Sequence, residues 1–288
     1  MKLNKHLIAA AAAAALMFTG AAQAYPQIET LSSGESIYSN GAWLENLQGS
    51  GTLSFSKYLV VALNLASVGM QAVPDGTLQI STSTNLAGAV KYVSASAAAP
   101  VTALTYANDG GNLDVLAVAT HGGSLQTTVK NSATNGAGSL SISDLKVDLT
   151  TKTVYADIVG ANGVGALNDY ALWKYDTITG PTSFDLQTVS EVDWTGYHVN
   201  LSATNTISGL FLANAADIDN IFVKALNLNY TGRSGLNAVN NRTATNTAGF
   251  GTITSTISIG TVPEPSTYAL MGVGLVGLAL FGRRRSAG

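Results

Sequence analysis

The sequence predicts a mainly β protein, a single β-sandwich-like or related antiparallel domain carrying one short helix, with a processing segment at each end. Three observations predict it. Charged residues are only 11% of the 288, well below the roughly 25% of ordinary soluble domains. The polar surface must therefore be built from Ser, Thr, Asn, Gln and Gly, which suit exposed strand faces and turns better than helices. Short alternating apolar and polar segments recur along the chain, and Gly, Asn and Asp clusters punctuate them. At 46% hydrophobic residues, the chain also has enough apolar material for one large core.

The ends come first because they are not part of that domain. Lys2 and Lys5 precede an unbroken apolar run from Leu7 to Phe18, and Ala22 and Ala24 then place small residues before Tyr25. A charged start, a short apolar stretch and a small-x-small site make a secretory signal peptide over residues 1–24. The run is too short to span a bilayer, which takes about 20 residues. The Sec machinery and signal peptidase are the partners this implies. At the other end, Val262-Pro263-Glu264-Pro265-Ser266 leads into the apolar stretch Tyr268 to Phe281 and then Arg283, Arg284 and Arg285. The prolines hold the backbone extended ahead of the helix. Residues 266–282 would extend about 25 Å as a helix, the short limit of a membrane span. The arginines orient such a transmembrane helix with its C-terminus in the cytoplasm.

This tail, residues 262–285, resembles the PEP-CTERM sorting domain of Gram-negative bacteria: a Pro-Glu-Pro motif, a short Gly-rich transmembrane helix and a terminal Arg cluster, in that order. The resemblance implies recognition of Pro263, Glu264 and Pro265 by an exosortase. It also implies a precursor held transiently in the inner membrane, then a cell-surface or secreted product, often associated with exopolysaccharide and extracellular matrix.

Within the exported region, residues 25–260, strands are expected at Thr52 to Phe55, Leu78 to Thr82, Lys91 to Val93, Val101 to Tyr106 and Leu113 to Thr120. Gly138 to Asp144, Leu145 to Leu149 and Thr153 to Val159 follow, the last two flanking a turn at Thr150-Thr151-Lys152. Tyr170 to Tyr175, Leu186 to Val192, Tyr197 to Leu201 and Thr252 to Ile259 complete the set. The apolar run Tyr58 to Leu65 reads as a strand buried on both faces. Between Ala215 and Leu226, apolar residues recur at helical spacing behind Asp217 and Asp219, which predicts the helix. Gly49 to Ser56, Gly136 to Ser143 and Gly249 to Thr254 echo one another, and a shared way of entering a sheet accounts for the likeness more simply than duplication does.

Composition also bounds the function. Between Tyr25 and Val262, nine Lys or Arg face sixteen Asp or Glu, a net charge of −7, so nucleic acid is not an expected partner. The absence of cysteine removes disulfides, thiolate metal sites and cysteine nucleophiles. His121 and His198 are the only histidines after the leader, and no Gly-x-Ser-x-Gly elbow accompanies them. Ser54 to Lys57 spells Ser-x-x-Lys without its companion motifs. Glu191 and Asp193 alternate as strand-borne glycosidase carboxylates do, but Thr195 stands where a third would continue the series. The Asp109 and Asp217–Asn220 clusters serve their turns more simply than they hold Ca²⁺. No catalytic residue, metal or cofactor is therefore nominated.

The leading expectation is a non-enzymatic structural or adhesive surface protein. Trp173, Tyr175, Trp194 and Tyr197 cluster in sequence as a candidate sugar-stacking face, with Trp194 and Tyr197 the candidate sugar contacts, although core packing is the simpler reading of the two tryptophans. The alternatives are a carbohydrate-active enzyme or a module binding a small ligand or metal. N-terminal sequencing of exported material should begin at Tyr25; a sequence beginning at Met1 would refute export.

Overall fold

The computed structural model describes residues 26–260 apart from 85, 87, 131–135, 194 and 195. Strands make up 59%, arranged as a curled antiparallel sheet, a half-barrel, with a few short helices. The signal-peptide residues Ala22 and Ala24, the tail residues Pro263, Glu264, Pro265 and Arg283 to Arg285, and Trp194 lie outside the described residues. No described helix is long and apolar enough to cross a membrane.

The chain opens with β1 (Gln27–Ser32), β2 (Ser36–Ser39), β3 (Ala42–Glu45) and β4 (Gln48–Phe55). Next comes α1 (Lys57–Leu65), where the apolar run had suggested a buried strand. Two local facts decide for helix. The Ser56 hydroxyl accepts a hydrogen bond from the Leu59 amide at 3.1 Å, capping the N-terminus. The buried set Leu59, Val60, Ala62 and Leu63 also fits one helical face, with Val61 and Leu65 exposed.

Five strands follow: β5 (Gly69–Ala72), β6 (Thr77–Thr84), β7 (Val90–Asn108), β8 (Asn112–Thr120) and β9 (Gly123–Thr128). The two strands expected between Lys91 and Tyr106 are thus one, β7. Likewise β10 (Gly138–Asp148) fuses two expected strands across a bulge at Asp144, which adopts a left-handed φ of 53°. Before the bulge β10 pairs with β9, and after it with β8. The turn predicted at residues 150–152 joins β10 to β11 (Thr153–Gly160), and the Asp148 carboxylate accepts from the Thr150 and Thr151 amides there.

After β12 (Gly165–Lys174), β13 (Thr177–Thr179) and β14 (Ser183–Asp185), the expected strand Leu186 to Val192 divides in two. Asp185 caps a helical turn, α2 (Leu186–Val189), by accepting from the Gln187 amide, and only β15 (Ser190–Asp193) is extended. Then come β16 (Gly196–Val199), β17 (Leu201–Ser208) and β18 (Phe211–Leu212). The predicted helix is present as a π-helical turn, Ile218–Val223, running into α3 (Lys224–Leu226). A further helix, α4 (Tyr230–Asn240), precedes the last strand, β19 (Gly251–Ile259). Sequence reading missed α4 because Thr, Ser, Asn and two glycines depress its helix propensity. Those glycines have a packing role: a Cβ at Gly235 would lie 3.2 Å from the Ala62 Cβ, so α4 seats closely against α1.

The large sheet has fifteen strands, ordered β13-β17-β19-β4-β7-β8-β10-β11-β12-β18 with five more attached along the path. Two of the three echoing Gly-x-Gly segments, in β4 and β19, pair with each other. A side chain at Gly49 would run into the Thr256 carbonyl and one at Gly251 into the Ser54 carbonyl, so both positions need glycine. A second sheet, β15-β16-β3-β2, is antiparallel except for the parallel pair β16–β3.

Two cores result. In the larger, α1, α4 and the π-turn pack on both halves of the curled sheet, with Phe250 wedged between Trp173 and Phe222 at ring separations of 5.8 and 5.5 Å. The smaller lies under the second sheet and gathers Leu31, Leu44, Leu104, Tyr106, Val199 and Ile259.

Phe250 is 1% exposed, so Phe250→Ala should cost about 3–5 kcal/mol in denaturant unfolding. A second outcome concerns pH. Asp217 is buried and accepts from the Tyr170 hydroxyl at 3.0 Å. Burial pushes its carboxyl above the ordinary value, and the Tyr170 hydrogen bond only partly offsets this. A carboxyl raised in the folded state stabilises the fold at low pH and loses that contribution as pH rises through its folded value. Asp217→Asn, which keeps an acceptor for Tyr170, should therefore lose less thermal stability than the parent between about pH 4 and about pH 7.

Candidate functional site

Each sequence-nominated group among the described residues has a definite place in the fold. His121 sits between β8 and β9, beside the bulge of β10. Its Nδ1 lies 2.8 Å from Asp144 Oδ1 and its Nε2 3.3 Å from Asp75 Oδ2, while its backbone amide donates to the Pro100 carbonyl at 3.0 Å. The ring thus ties a turn to the point where β10 changes partners. Asp109 accepts from the Gly111 and Asn112 amides at 2.8 and 2.6 Å, which is turn duty, and those bonds hold its carboxyl below the usual range. Asp217 serves Tyr170, and Asp219 makes a two-point ion pair with Arg233 at 2.6 and 2.5 Å. No group of three or more ligating side chains gathers among the described residues. Trp173 is buried, as core packing predicts, and Tyr175 is buried with it.

The chemistry that does converge lies on the outer face of the second sheet. β2 and β3 form a hairpin through Asn40-Gly41, both with positive φ, 45° and 93°. Asn-Gly between alternating strands is the sequence signal of a two-residue hairpin turn, and it was available to sequence reading. The hairpin is fixed from beneath by fully buried Asn108, whose amide donates to the Ser39 carbonyl and hydroxyl at 3.3 and 3.1 Å. Asn40 returns a hydrogen bond to the Asn108 carbonyl at 2.8 Å.

Period-two alternation then sorts the side chains. Ala42 and Leu44 face the smaller core, and Tyr38, Trp43 and Glu45 face outward. The Tyr38 and Trp43 rings lie 5.1 Å apart at 60°, with Tyr38 58% exposed. His198, in register with Trp43, presents Nδ1 to the Glu45 carboxylate at 2.9 Å. Glu191, in register with His198 on the next strand, accepts from the Asn200 side-chain amide at 3.0 Å. An aromatic pair thus stands beside a row of hydrogen-bonding groups, Glu45, His198 and Glu191, across four strands.

Tyr197 is exposed but alternates to the opposite side of β16 from His198, beside exposed Val192. It does not join the aromatic pair. Trp194, nominated with Tyr197, lies outside the described residues; Tyr38 and Trp43, which sequence reading did not nominate, come from a hairpin more than 150 residues away from β16.

No curated protein and no solved structure matches the chain. Residues 261–285 match the PEP-CTERM protein-sorting motif. The match takes in Pro263, Glu264 and Pro265 as well as Arg283, Arg284 and Arg285. A β-rich domain with this motif behind it is an exported protein, made as a membrane-anchored precursor, sorted by an exosortase and delivered to the surface.

Proposed function

We propose that the exported domain is a non-enzymatic surface module that contacts exopolysaccharide through the outer face of its second sheet, with an adhesive or matrix role. The observation that carries the reading is the Tyr38–Trp43 pair, Tyr38 exposed and Trp43 half-buried, flanked by Glu45, His198 and Glu191. Aromatic faces cover the apolar C–H faces of sugar rings, while carboxylates bond the ring hydroxyls; the buried His198 imidazole holds Glu45 in place among them. The domain's polar surface is rich in hydroxyls and poor in charge, so this contact needs little electrostatic attraction.

The test measures retention of the protein on immobilised exopolysaccharide together with release of new reducing ends. Retention without turnover is expected. Trp43→Ala should weaken it by about 1–2 kcal/mol, roughly five- to thirtyfold, from lost apolar contact, and Tyr38→Ala by less. Tyr197→Ala, on the other side of the strand, should change little. Turnover abolished by Glu45→Gln or Glu191→Gln would replace this reading with a glycosidase, and retention unaffected by Trp43→Ala would remove the face from consideration.

A further inference from the structure

The larger core contains a cavity of about 100 Å³. Its position follows from strand register. Ile207, Ile253, Leu53 and Ala97 form one row across β17, β19, β4 and β7, and the next row on the same face is Asn205, Ser255, Gly51 and Ala99. The second row trades bulk for small or polar side chains, so the sheet stands back from the elements opposite. All eight of these residues line the cavity, and Gln126 from β9 and Trp173 from β12 close it from the other side.

The polar atoms here lack partners. Gln126 Oε1, Trp173 Nε1, Asn205 Oδ1 and Ser255 Oγ are buried without a hydrogen-bond partner, and their residues are between 2% and 8% exposed. Buried polar atoms in folded proteins are nearly always paired, so each exception calls for a cause. That all four belong to residues of one cavity wall gives them a common one. Gln126 is held in place because its amide nitrogen donates to the Ser124 hydroxyl at 2.7 Å, which leaves the carbonyl oxygen to accept.

We propose that this cavity binds a small, neutral, largely apolar molecule carrying a hydroxyl group. Three features define that class. The wall is mostly aliphatic and aromatic, including Leu53, Leu140, Ile253 and Phe250. No lining residue is charged, so an ionised ligand would lose its hydration without compensation. A hydroxyl is both donor and acceptor, and thus answers the Trp173 N–H on one side and an Asn205 or Ser255 oxygen on the other. An apolar protein cavity of ~150 Å³ accepts benzene, so this one suits a molecule of about four to five non-hydrogen atoms. The site is independent of the sugar-contact face, since none of Tyr38, Trp43, Glu45, His198 and Glu191 lines it.

The experiment follows the Trp173 indole N–H resonance of the ¹⁵N-labelled full chain in lipid nanodiscs, titrated with 2-butanol and, separately, with xenon. Xenon needs space but no hydrogen bond. A saturable shift with 2-butanol is expected, weakened at least threefold by Ser255→Ala, which removes a polar group without filling the cavity. Saturation by xenon with no response to 2-butanol would show a purely apolar void and overturn the proposal. So would an indole proton that exchanges magnetisation with long-lived bound water while ignoring both probes. Equal 2-butanol affinity in the parent and the Ser255→Ala protein, with the Gln126→Leu and Asn205→Leu variants also unchanged, would equally reject a role for the polar wall.

Discussion

The architecture depends on one strand that belongs to two half-sheets. β7 runs for nineteen residues and changes neighbours midway. Its first half lies between β4 and β6, and its second between β1 and β8. Pro100 stands at the exchange, where it has no N–H to offer a ladder, and the register against β8 slips between Val101 and Ala103. The freed backbone groups are used nearby: the Pro100 carbonyl accepts from His121 and the Thr102 carbonyl from Ser33. A proline and a bulge inside a long strand bend the sheet, and the curl makes room for two cores. The break at Asp144 does the same for β10, and His121 touches both places, through the Pro100 carbonyl and the Asp144 carboxylate.

Once the sheet is curled, its concave side must be filled, and the helices supply the filling. α1 follows β4 after a single capping residue, Ser56, whose hydroxyl also donates to the Gly249 carbonyl at 2.5 Å. That bond joins the start of α1 to the entry of β19, residues nearly two hundred positions apart. α4 packs on α1 through glycines rather than bulky side chains, and this allows Leu236 and Val239 to reach the core. Filling is incomplete along the Asn205-Ser255-Gly51-Ala99 row, where small or polar side chains line the cavity.

The surface is built from hydroxyls rather than charges. Thr30 with Thr105, Ser50 with Thr256 and Thr177 with Ser208 pair across strands at 3.0, 3.2 and 2.7 Å. Such pairs each add a few tenths of a kcal/mol, up to about 1, and do so without long-range repulsion. The ion pairs Lys146–Asp169, Arg233–Asp219 and Arg242–Asp176 are largely exposed, where they contribute little. A hydrated, weakly charged exterior is compatible with both high and low salt, because it has little electrostatic attraction to screen.

The sequence by itself determined the address, the β class and the location of most strands. Those properties are written in short local patterns: a Pro-Glu-Pro with its apolar run and arginines, and period-two alternation from Leu78 to Thr82 or Thr153 to Val159. The helix near residues 218–226 was legible for the same reason, since its apolar spacing is local. What tertiary structure decided was everything that depends on distant partners. The run Tyr58 to Leu65 has the composition of a buried strand and becomes a helix because Ser56 caps it and the curled sheet needs a filler there. β7 and β10 each join two expected strands because their breaks are bends that neighbours satisfy, not ends. The Tyr38–Trp43 pair follows from the local Asn-Gly hairpin, but bringing Glu45 beside His198 and Glu191 needed β3 to lie beside β16 in parallel, a pairing that no local pattern encodes. The cavity is likewise a property of a row across four strands, visible only once their registers are set, because side-chain volume in one strand says nothing about the volume opposite it.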